Sequence, residues 1–176
     1  LLMRASSSEI LPFRFSAYGF ALKEHLDELK RIIIRKRRLP EGHDRLDWTS
    51  DFSMMDSVVE RFFLTSQSLD CALDKVQGFS LLNGPSLGAI NDALARLEQA
   101  FTDPTGLPGR NWFRHLIYAP GLTTGYACWP MPGMRQAIEQ NRAELFAQES
   151  LRIAERIRVA SEAMEQIQTL LAAIRE

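Results

Sequence analysis

Apolar residues recur at steps of three and four along several stretches of the chain, the spacing that places them on one face of an α-helix. The longest uninterrupted pattern runs from about Arg142 to Ile174. Its stripe consists of Ile153, Ile157, Ala160, Met164, Ile167, Leu171 and Ile174. Alternating steps of four and three are typical of the seam of a left-handed helix bundle. We therefore predict that this stripe is buried against the helices that carry Leu22–Ile33 and Val58–Val76.

Three further long helices are predicted upstream of this seam. The first begins at Ser16, a residue type that often caps a helix, and is stopped by Pro40. The second extends from about Ser53 to Gly78, and the third from about Ser86 to Phe101, after the turn Asn83-Gly84-Pro85. Their apolar faces are Leu22, Leu26, Leu29 and Ile33 in the first; Val58, Phe62, Leu69, Ala72 and Val76, widened by Val59 and Phe63, in the second; and Ile90, Leu94 and Leu97 in the third. Long amphipathic helices with short connections predict an all-α fold, a four-helix up-and-down bundle.

One segment, residues 103–133, breaks this helical pattern because it is dense in proline, glycine and aromatic residues. Structureless segments longer than about 12–15 residues are uncommon in compact domains and are usually functional or disordered. Several of its side chains belong to types that fold and become buried: Trp112, Phe113, Leu116, Ile117, Tyr118, Tyr126 and Trp129. The sequence therefore predicts a long ordered loop that presents a surface to a partner, with a short helix after Pro132-Gly133.

Composition narrows the classes of protein that the chain can belong to. Its 176 residues suit one domain, and its net charge of -1 gives no electrostatic case for binding nucleic acid. No window approaches the roughly 20 apolar residues of a transmembrane helix. The basic run Arg35–Arg38 could be a nuclear localisation or phosphate-binding patch, although cations suited to a helix C-terminus explain it better. The first residues, LLMRASSSEILPF, resemble the middle of a longer protein, so we expect an excised piece.

Residues with catalytic or metal-binding spacing are missing. The histidines do not form an HExxH motif, and no CxxC motif occurs. We expect His25 to be structural or on the surface, His43 to be solvated, and His115 to hold loop backbone rather than act in catalysis. Cys71 and Cys128 could form one disulfide, but two buried free thiols are favoured. We therefore predict that this chain alone contains no catalytic or metal-ligand residue.

The segment LARLEQAFTDPTGLPGRNWFRHLIYAPG, Leu94 to Gly121, continues to GYACWPMPG, Gly125 to Gly133. Together they resemble the C-terminal dimerisation domain of the transferrin receptor and glutamate carboxypeptidase II family. In that family an LERAF-like helix leads into DP-x-GLP, R-H-x-IYAP and a loop that ends in PG. The motif ILPF, Ile10 to Phe13, is similar to the family's junction with its peptidase domain. The resemblance covers Leu11 to Ile167 and implies that residues 1–9 are the tail of a peptidase-like domain and residues 10–176 a helical dimerisation domain.

The resemblance also implies partners. In full-length relatives the helical domain follows a zinc aminopeptidase-like domain with a protease-associated insert, and it mediates homodimer formation. The expected partners of this chain are a second copy of itself and its own upstream peptidase domain. The zinc ligands and the general base belong to that missing domain, so zinc is expected there and no cofactor here. The family suggests a parent protein that is extracellular, periplasmic or membrane-anchored.

In the carboxypeptidase the long loop reaches over the catalytic cleft and contacts the substrate's terminal glutamate through a lysine-tyrosine pair. Equal spacing between YAP and PG aligns Tyr126 with that tyrosine and Gly125 with the lysine. A glycine supplies no ammonium group for a carboxylate, which puts acidic specificity in doubt. The resemblance thus implies a substrate-pocket loop, residues 121–131, with Thr124, Gly125, Tyr126 and Trp129 as pocket residues, and Trp129 and Met131 making its wall more apolar.

Three interpretations remain open on the sequence. The leading one is a non-catalytic homodimerisation domain that completes the substrate pocket of a glutamate carboxypeptidase-like zinc metallopeptidase. The alternative is the dimerisation module of a catalytically inactive, transferrin receptor-like binding or scaffold protein. A third interpretation is an unrelated helical bundle whose long loop is a structural crossover. The residues that would separate the first two lie in the upstream domain.

Overall fold

The computed structural model describes residues 10–76, 84–122, 125 and 127–173, without the side chains of residues 84–86. The long helices are α1 (Phe15–Arg37), α2 (Ser53–Val76) and α5 (Ala143–Ala173). Between α2 and α5 the chain forms α3 (Gly84–Arg96), a 3-10 turn (Leu97–Phe101), strands β1 (Tyr118–Pro120) and β2 (Cys128–Pro130), and α4 (Pro132–Glu139). The predicted mainly helical fold is confirmed, while the up-and-down arrangement of four helices stays a prediction. None of the described helices is long and apolar enough to cross a membrane.

The predicted seam of α5 is buried. Each of its described members is at most 2% exposed, namely Ile153, Ile157, Ala160, Met164, Ile167 and Leu171, and Ile174 lies outside the described residues. This seam packs along α2, the 3-10 turn and α4. Helix α1 packs mainly on α2. The predicted packing of the seam against α2 is therefore confirmed, and its packing against the Leu22–Ile33 stripe stays a prediction.

The buried face of α2 is also rotated from the predicted one. Val58 and Ala72 are only half-buried, whereas Met55 and Leu73 belong to the core. The observed stripe repeats at steps of four and three, with Met55, Val59, Phe62, Ser66, Leu69, Leu73 and Val76 buried. This regular spacing places the buried residues on one stripe of the helix. Ser66 is tolerated in the stripe because α1 approaches it at Gly19, where an added β-carbon would lie 2.9 Å from the Ser66 Oγ.

The first turn of α1 is capped by another helix rather than by Ser16, so that prediction is wrong. The buried Asp70 of α2 accepts hydrogen bonds from the backbone N–H of Phe15, at 2.9 Å, and of Ser16, at 3.1 Å. The Ser16 hydroxyl donates a further bond to Asp70 Oδ2 at 2.5 Å. A carboxylate more than fifty residues away therefore satisfies the open donors of this helix end and joins α1 to α2.

Replacing Asp70 with alanine is expected to lower the free energy of unfolding by about 1–3 kcal/mol, because these donors lose their acceptor inside the protein. The matched control is Asp74→Ala, which removes an exposed carboxylate that pairs with Arg14 one helical turn away. Exposed ion pairs contribute little, so the control is expected to change stability by less than about 1 kcal/mol. Urea unfolding followed by circular dichroism measures both, and equal effects would contradict the interhelix cap.

Candidate functional site

The segment between Phe101 and Pro132 begins with a tight turn at Asp103. The Asp103 carboxylate accepts bonds from the backbone N–H and the hydroxyl of Thr105, at 2.8 and 2.5 Å. Gly106 donates its N–H to the Asp103 carbonyl at 3.0 Å and has a φ of +68°. A β-carbon on Gly106 would lie 2.3 Å from the Asn111 carbonyl oxygen, so only glycine fits here. The turn places Leu107 in the core.

Helix α5 holds this turn through Arg152. Its Nη2 donates to the Gly106 carbonyl and to the Thr105 hydroxyl, each at 2.8 Å, and lies 3.3 Å from Asp103 Oδ1. Its Nη1 donates to the buried Glu149 at 2.6 Å. Burial raises the pKa of Asp103, but the bonds from Thr105 and the Arg152 charge outweigh it and hold that pKa below its usual range. The pKa of Glu149 is raised, because its burial outweighs the opposing contact with Arg152.

A second arginine, the buried Arg110, ties the end of the turn to the next elements. Its Nη1 donates to the Pro120 carbonyl of β1 at 2.6 Å, and its Nη2 lies 3.5 Å from the amide oxygen of Gln136 on α4. Its guanidinium lies 5.5 Å from the centre of the Phe113 ring. In the described part of the chain it forms no ion pair with a carboxylate. Arg110 therefore fixes backbone through carbonyl oxygens rather than through a charged partner.

The second half of the segment is a β-hairpin that the sequence pattern did not predict. Strand β1 pairs antiparallel with β2, with Ala119 opposite Trp129, and Gly121 donates its N–H to the Ala127 carbonyl at 2.9 Å. Met131 then donates to the Ile117 carbonyl at 2.8 Å and takes a left-handed conformation, with a φ of 46°, at the start of α4. The predicted pocket loop, residues 121–131, therefore includes strand β2 as well as the connection from β1.

Two histidines contact Tyr118, the first residue of β1. The Nδ1 of His115 accepts the backbone N–H of Ile117, at 3.3 Å, and of Tyr118, at 3.1 Å. The Nε2 of His25, on α1, lies 2.8 Å from the Tyr118 hydroxyl. These contacts confirm that His115 holds loop backbone and that His25 has a structural role. His43 is exposed, as predicted.

The structure shows where some of the predicted pocket residues lie, and the pocket role of Gly125 and Trp129 stays a prediction. Gly125 is exposed, and a β-carbon built on it would meet nothing within 4 Å. Trp129 is half-buried on β2, where the Arg135 guanidinium lies 5.4 Å from its ring centre. Thr124 and Tyr126 lie outside the described residues. Met131 is fully buried and cannot form a pocket wall, so that prediction is wrong.

Two further predictions about burial are corrected. Trp112 is 68% exposed, because the turn after Gly109 leaves its ring outside the core that Leu107 and Leu116 enter. Cys71 and Cys128 are free thiols as favoured, but both are exposed rather than buried, since neither faces the packed side of its element.

Sequence reasoning missed the residues that hold the segment in place: Arg110, Gln136, Glu149 and Arg152. Most of their partners are far away in the chain, and only Arg110, which directly follows the DPTGLPG motif, stands next to the segment in sequence. No group of three or more histidine, cysteine, aspartate or glutamate side chains in the described ranges is placed to hold a metal ion. The described residues therefore do not fit a zinc centre.

Comparison with known proteins identifies relatives of this arrangement. The chain is 25% identical over 162 residues to a protein of Arabidopsis thaliana named a probable glutamate carboxypeptidase, covering 89% of this chain and 21% of that protein. A fungal protein of the same name, from Arthroderma benhamiae, is 27% identical over 134 residues, or 76% of this chain and 17% of the relative. A Schizosaccharomyces pombe protein named an inactive zinc metalloprotease is 37% identical over 134 residues. The alignment covers 73% of this chain and 17% of that protein.

This chain spans about a fifth of the length of these curated relatives. The family model described as the transferrin receptor-like dimerisation domain matches residues 50–165, which is more than half of the chain and includes the whole segment from the Asp103 turn to α4. The matched range starts after α1, although the alignment with the Arabidopsis relative covers most of the chain. The chain belongs to the transferrin receptor-like dimerisation domain family.

Proposed function

We propose that the chain is the non-catalytic homodimerisation domain of a glutamate carboxypeptidase-like zinc metallopeptidase, and that its loop 121–131 helps to complete the substrate pocket of the catalytic domain. The observation that carries this proposal is the family match across residues 50–165, which includes the built hairpin. The names of the plant and fungal relatives support the peptidase class. The catalytic zinc and its ligands would belong to the rest of such a protein.

The architecture of the hairpin supports a presenting role. Its base is fixed from three directions: Arg110 bonds to Pro120, His115 bonds to the backbone at Tyr118, and Arg135 covers Trp129. Its outer part is open, since Leu122 and Gly125 are exposed. Binding residues are often placed on loops whose ends are fixed by a rigid scaffold. A fixed base with an exposed end is therefore suited to forming one wall of a neighbouring domain's pocket.

The composition of the loop bears on substrate choice. We propose that Tyr126 donates a hydrogen bond to the substrate or to a pocket group; the competing arrangement is a Tyr126 that packs on the helices and bonds only to loop backbone. Gly125 provides no cation at the position that, by the family resemblance, is a lysine in the carboxypeptidase. Without a charge-assisted bond, a terminal glutamate is not expected to be strongly preferred over an apolar terminal residue.

Kinetics of the full-length protein test this assignment. Gly125→Lys is expected to raise kcat/KM for substrates with a terminal glutamate about tenfold relative to apolar ones, because one charged hydrogen bond contributes about 1.5–3 kcal/mol. The position accepts a side chain, since a β-carbon there has open space. The control Gly88→Lys, on the exposed side of α3 with equally open space, is expected to leave the ratio unchanged. An unchanged ratio in Gly125→Lys, together with unchanged kinetics in Tyr126→Phe, would remove the loop from the pocket.

The isolated chain is expected to show no peptidase activity with or without added zinc, because catalytic zinc needs three protein ligands and an open position. Hydrolysis of a panel of dipeptides, followed by amine release, measures this. Zinc-dependent turnover that is lost on substituting His115 would contradict the non-catalytic assignment.

A second candidate function is the dimerisation module of a catalytically inactive binding or scaffold protein. The fission yeast relative, named an inactive zinc metalloprotease, favours it with the highest identity of the three relatives described. Zinc content of the purified full-length protein separates the two candidates. Stoichiometric zinc supports the peptidase, and a protein that binds no zinc supports the inactive module.

A further inference from the structure

Tyr118 is held by two histidines that come from different parts of the fold. His115 precedes β1 by a few residues and bonds to its backbone, whereas His25 reaches the Tyr118 hydroxyl from α1. The His25 ring meets the Tyr118 ring edge-on at 5.3 Å, and the His115 ring stacks on it at 6.0 Å. The first residue of the hairpin therefore rests between two titratable rings.

The contact made by His115 requires a neutral ring. Its Nδ1 accepts two backbone N–H groups, which only an unprotonated nitrogen can do, so the ring proton belongs on Nε2. Protonation would place a new N–H against these two donors and remove both hydrogen bonds. A histidinium therefore cannot replace the neutral ring in this position without moving the backbone of residues 117 and 118.

The charged groups around His115 do little to stabilise a second proton on its ring. Glu98, on the 3-10 turn, has Oε1 3.8 Å from His115 Nε2, beyond hydrogen-bond distance, and its side chain is largely exposed. The hydroxyl of Tyr18 on α1 and the thiol of Cys128 on β2 also lie near Tyr118. Burial raises the pKa of Tyr18, so its hydroxyl stays neutral at physiological pH. Burial lowers the pKa of His115, with Glu98 opposing.

The surroundings of His25 are similar. Glu24 and Glu28 of its own helix face it, but Glu28 lies 3.6 Å from the Arg135 guanidinium of α4. Burial lowers the pKa of His25 more than these carboxylates raise it. Both rings are therefore neutral at neutral pH and take up a proton only in acid.

We propose that neutral His115 is the positioning residue of the β1–β2 hairpin, and that its protonation in acid releases the start of β1 at Ile117 and Tyr118. A group whose pKa is lowered on folding binds fewer protons in the folded state than in the unfolded state. Its stabilising contribution is complete above the unfolded pKa of about 6.5 and is lost as the pH falls through the folded pKa. As a regulation of the pocket wall, this inference rests on the proposed function; as a property of the hairpin, it stands alone.

Hydrogen exchange of the 176-residue chain tests the inference without any substrate. The protection factors of the Ile117 and Tyr118 amides are expected to fall at least about tenfold between about pH 7.5 and about pH 5, while those of core amides in α5 stay constant. In His115→Asn the side-chain oxygen can still accept backbone N–H groups two and three residues ahead but does not titrate. This variant is expected to keep its protection across the range, and the control His43→Asn is expected to follow the wild type.

Loss of protection in His115→Asn equal to that in the wild type would overturn the role of His115, and so would constant protection in the wild type. If His115→Asn does not fold, nitrogen NMR of the histidine rings in the wild-type protein tests the inference instead. The inference expects His115 to carry its proton on Nε2 at neutral pH and to titrate at the same midpoint as the Tyr118 amide protection, and different midpoints would contradict it. Kinetics of the full-length protein then test only the proposed role of the loop in the substrate pocket. A KM that rises in acid for the wild type but not for His115→Asn supports that role. A KM that does not change with pH counts against the proposed function and leaves the role of His115 in the hairpin untouched.

Discussion

Replacing Gly106 with alanine is expected to lower the free energy of unfolding by about 2–5 kcal/mol. The residue has a φ of +68°, which costs an L-residue with a β-carbon about 1–2 kcal/mol. The new β-carbon would also lie 2.3 Å from the Asn111 carbonyl oxygen and 2.6 Å from its carbonyl carbon, so backbone must move, at about 1–3 kcal/mol more. The movement would disturb the Gly106 carbonyl that Arg152 binds. Chemical unfolding monitored by fluorescence measures the loss.

Gly109→Ala is the matched control for this prediction. Gly109 lies in the same turn with nearly the same φ, +70°, but nothing lies within 4 Å of its β-carbon position. It should therefore lose only the conformational part, about 1–2 kcal/mol. Equal losses in the two variants would show that the close approach to Asn111 is not what requires glycine in the DPTGLPG motif.

Replacing Ile157 with alanine is expected to cost about 2–4 kcal/mol, because the residue lies at the centre of the buried seam with no exposed surface. Removing its side chain leaves a cavity between α5 and the elements packed on it. Leu170→Ala is the control on the same helix, since that leucine is 44% exposed, and it is expected to change stability by less than about 1 kcal/mol. Thermal unfolding of the two variants measures both losses of stability. A small loss in Ile157→Ala would contradict the assignment of this stripe to the core.

Sequence patterns predicted the helices well where the signal was local and repeated. The seam of α5 is an example, because every third or fourth residue carries the same information. The stripe of α2 was placed less well, because polar Ser66 and Asp70 interrupt the apolar pattern of its buried face. The cap of α1 by Asp70 could not be predicted, because propensity rules describe only neighbours in the chain.

The same distinction between local and distant signals applies to the candidate site. In the described residues of the long segment, the prediction that His115 holds backbone is confirmed, since its partners are close in the chain. The hairpin was missed because its strands are only three residues long and contain Pro120 and Pro130, which are unfavourable in strands. Arg110 and Arg152 act on backbone that only the folded chain brings near them, so no local pattern could assign their partners.

Sedimentation velocity of the full-length protein tests the central claim, that this domain makes a homodimer, most directly. Measurements over an about hundredfold range of protein concentration distinguish a stable dimer from weak self-association, because only the weak dimer dissociates on dilution. The account predicts a species with the mass of two chains, related by a two-fold contact, and a weaker tendency of the isolated 176-residue chain to pair in the same way. A full-length protein that sediments as a monomer at every concentration would contradict the account.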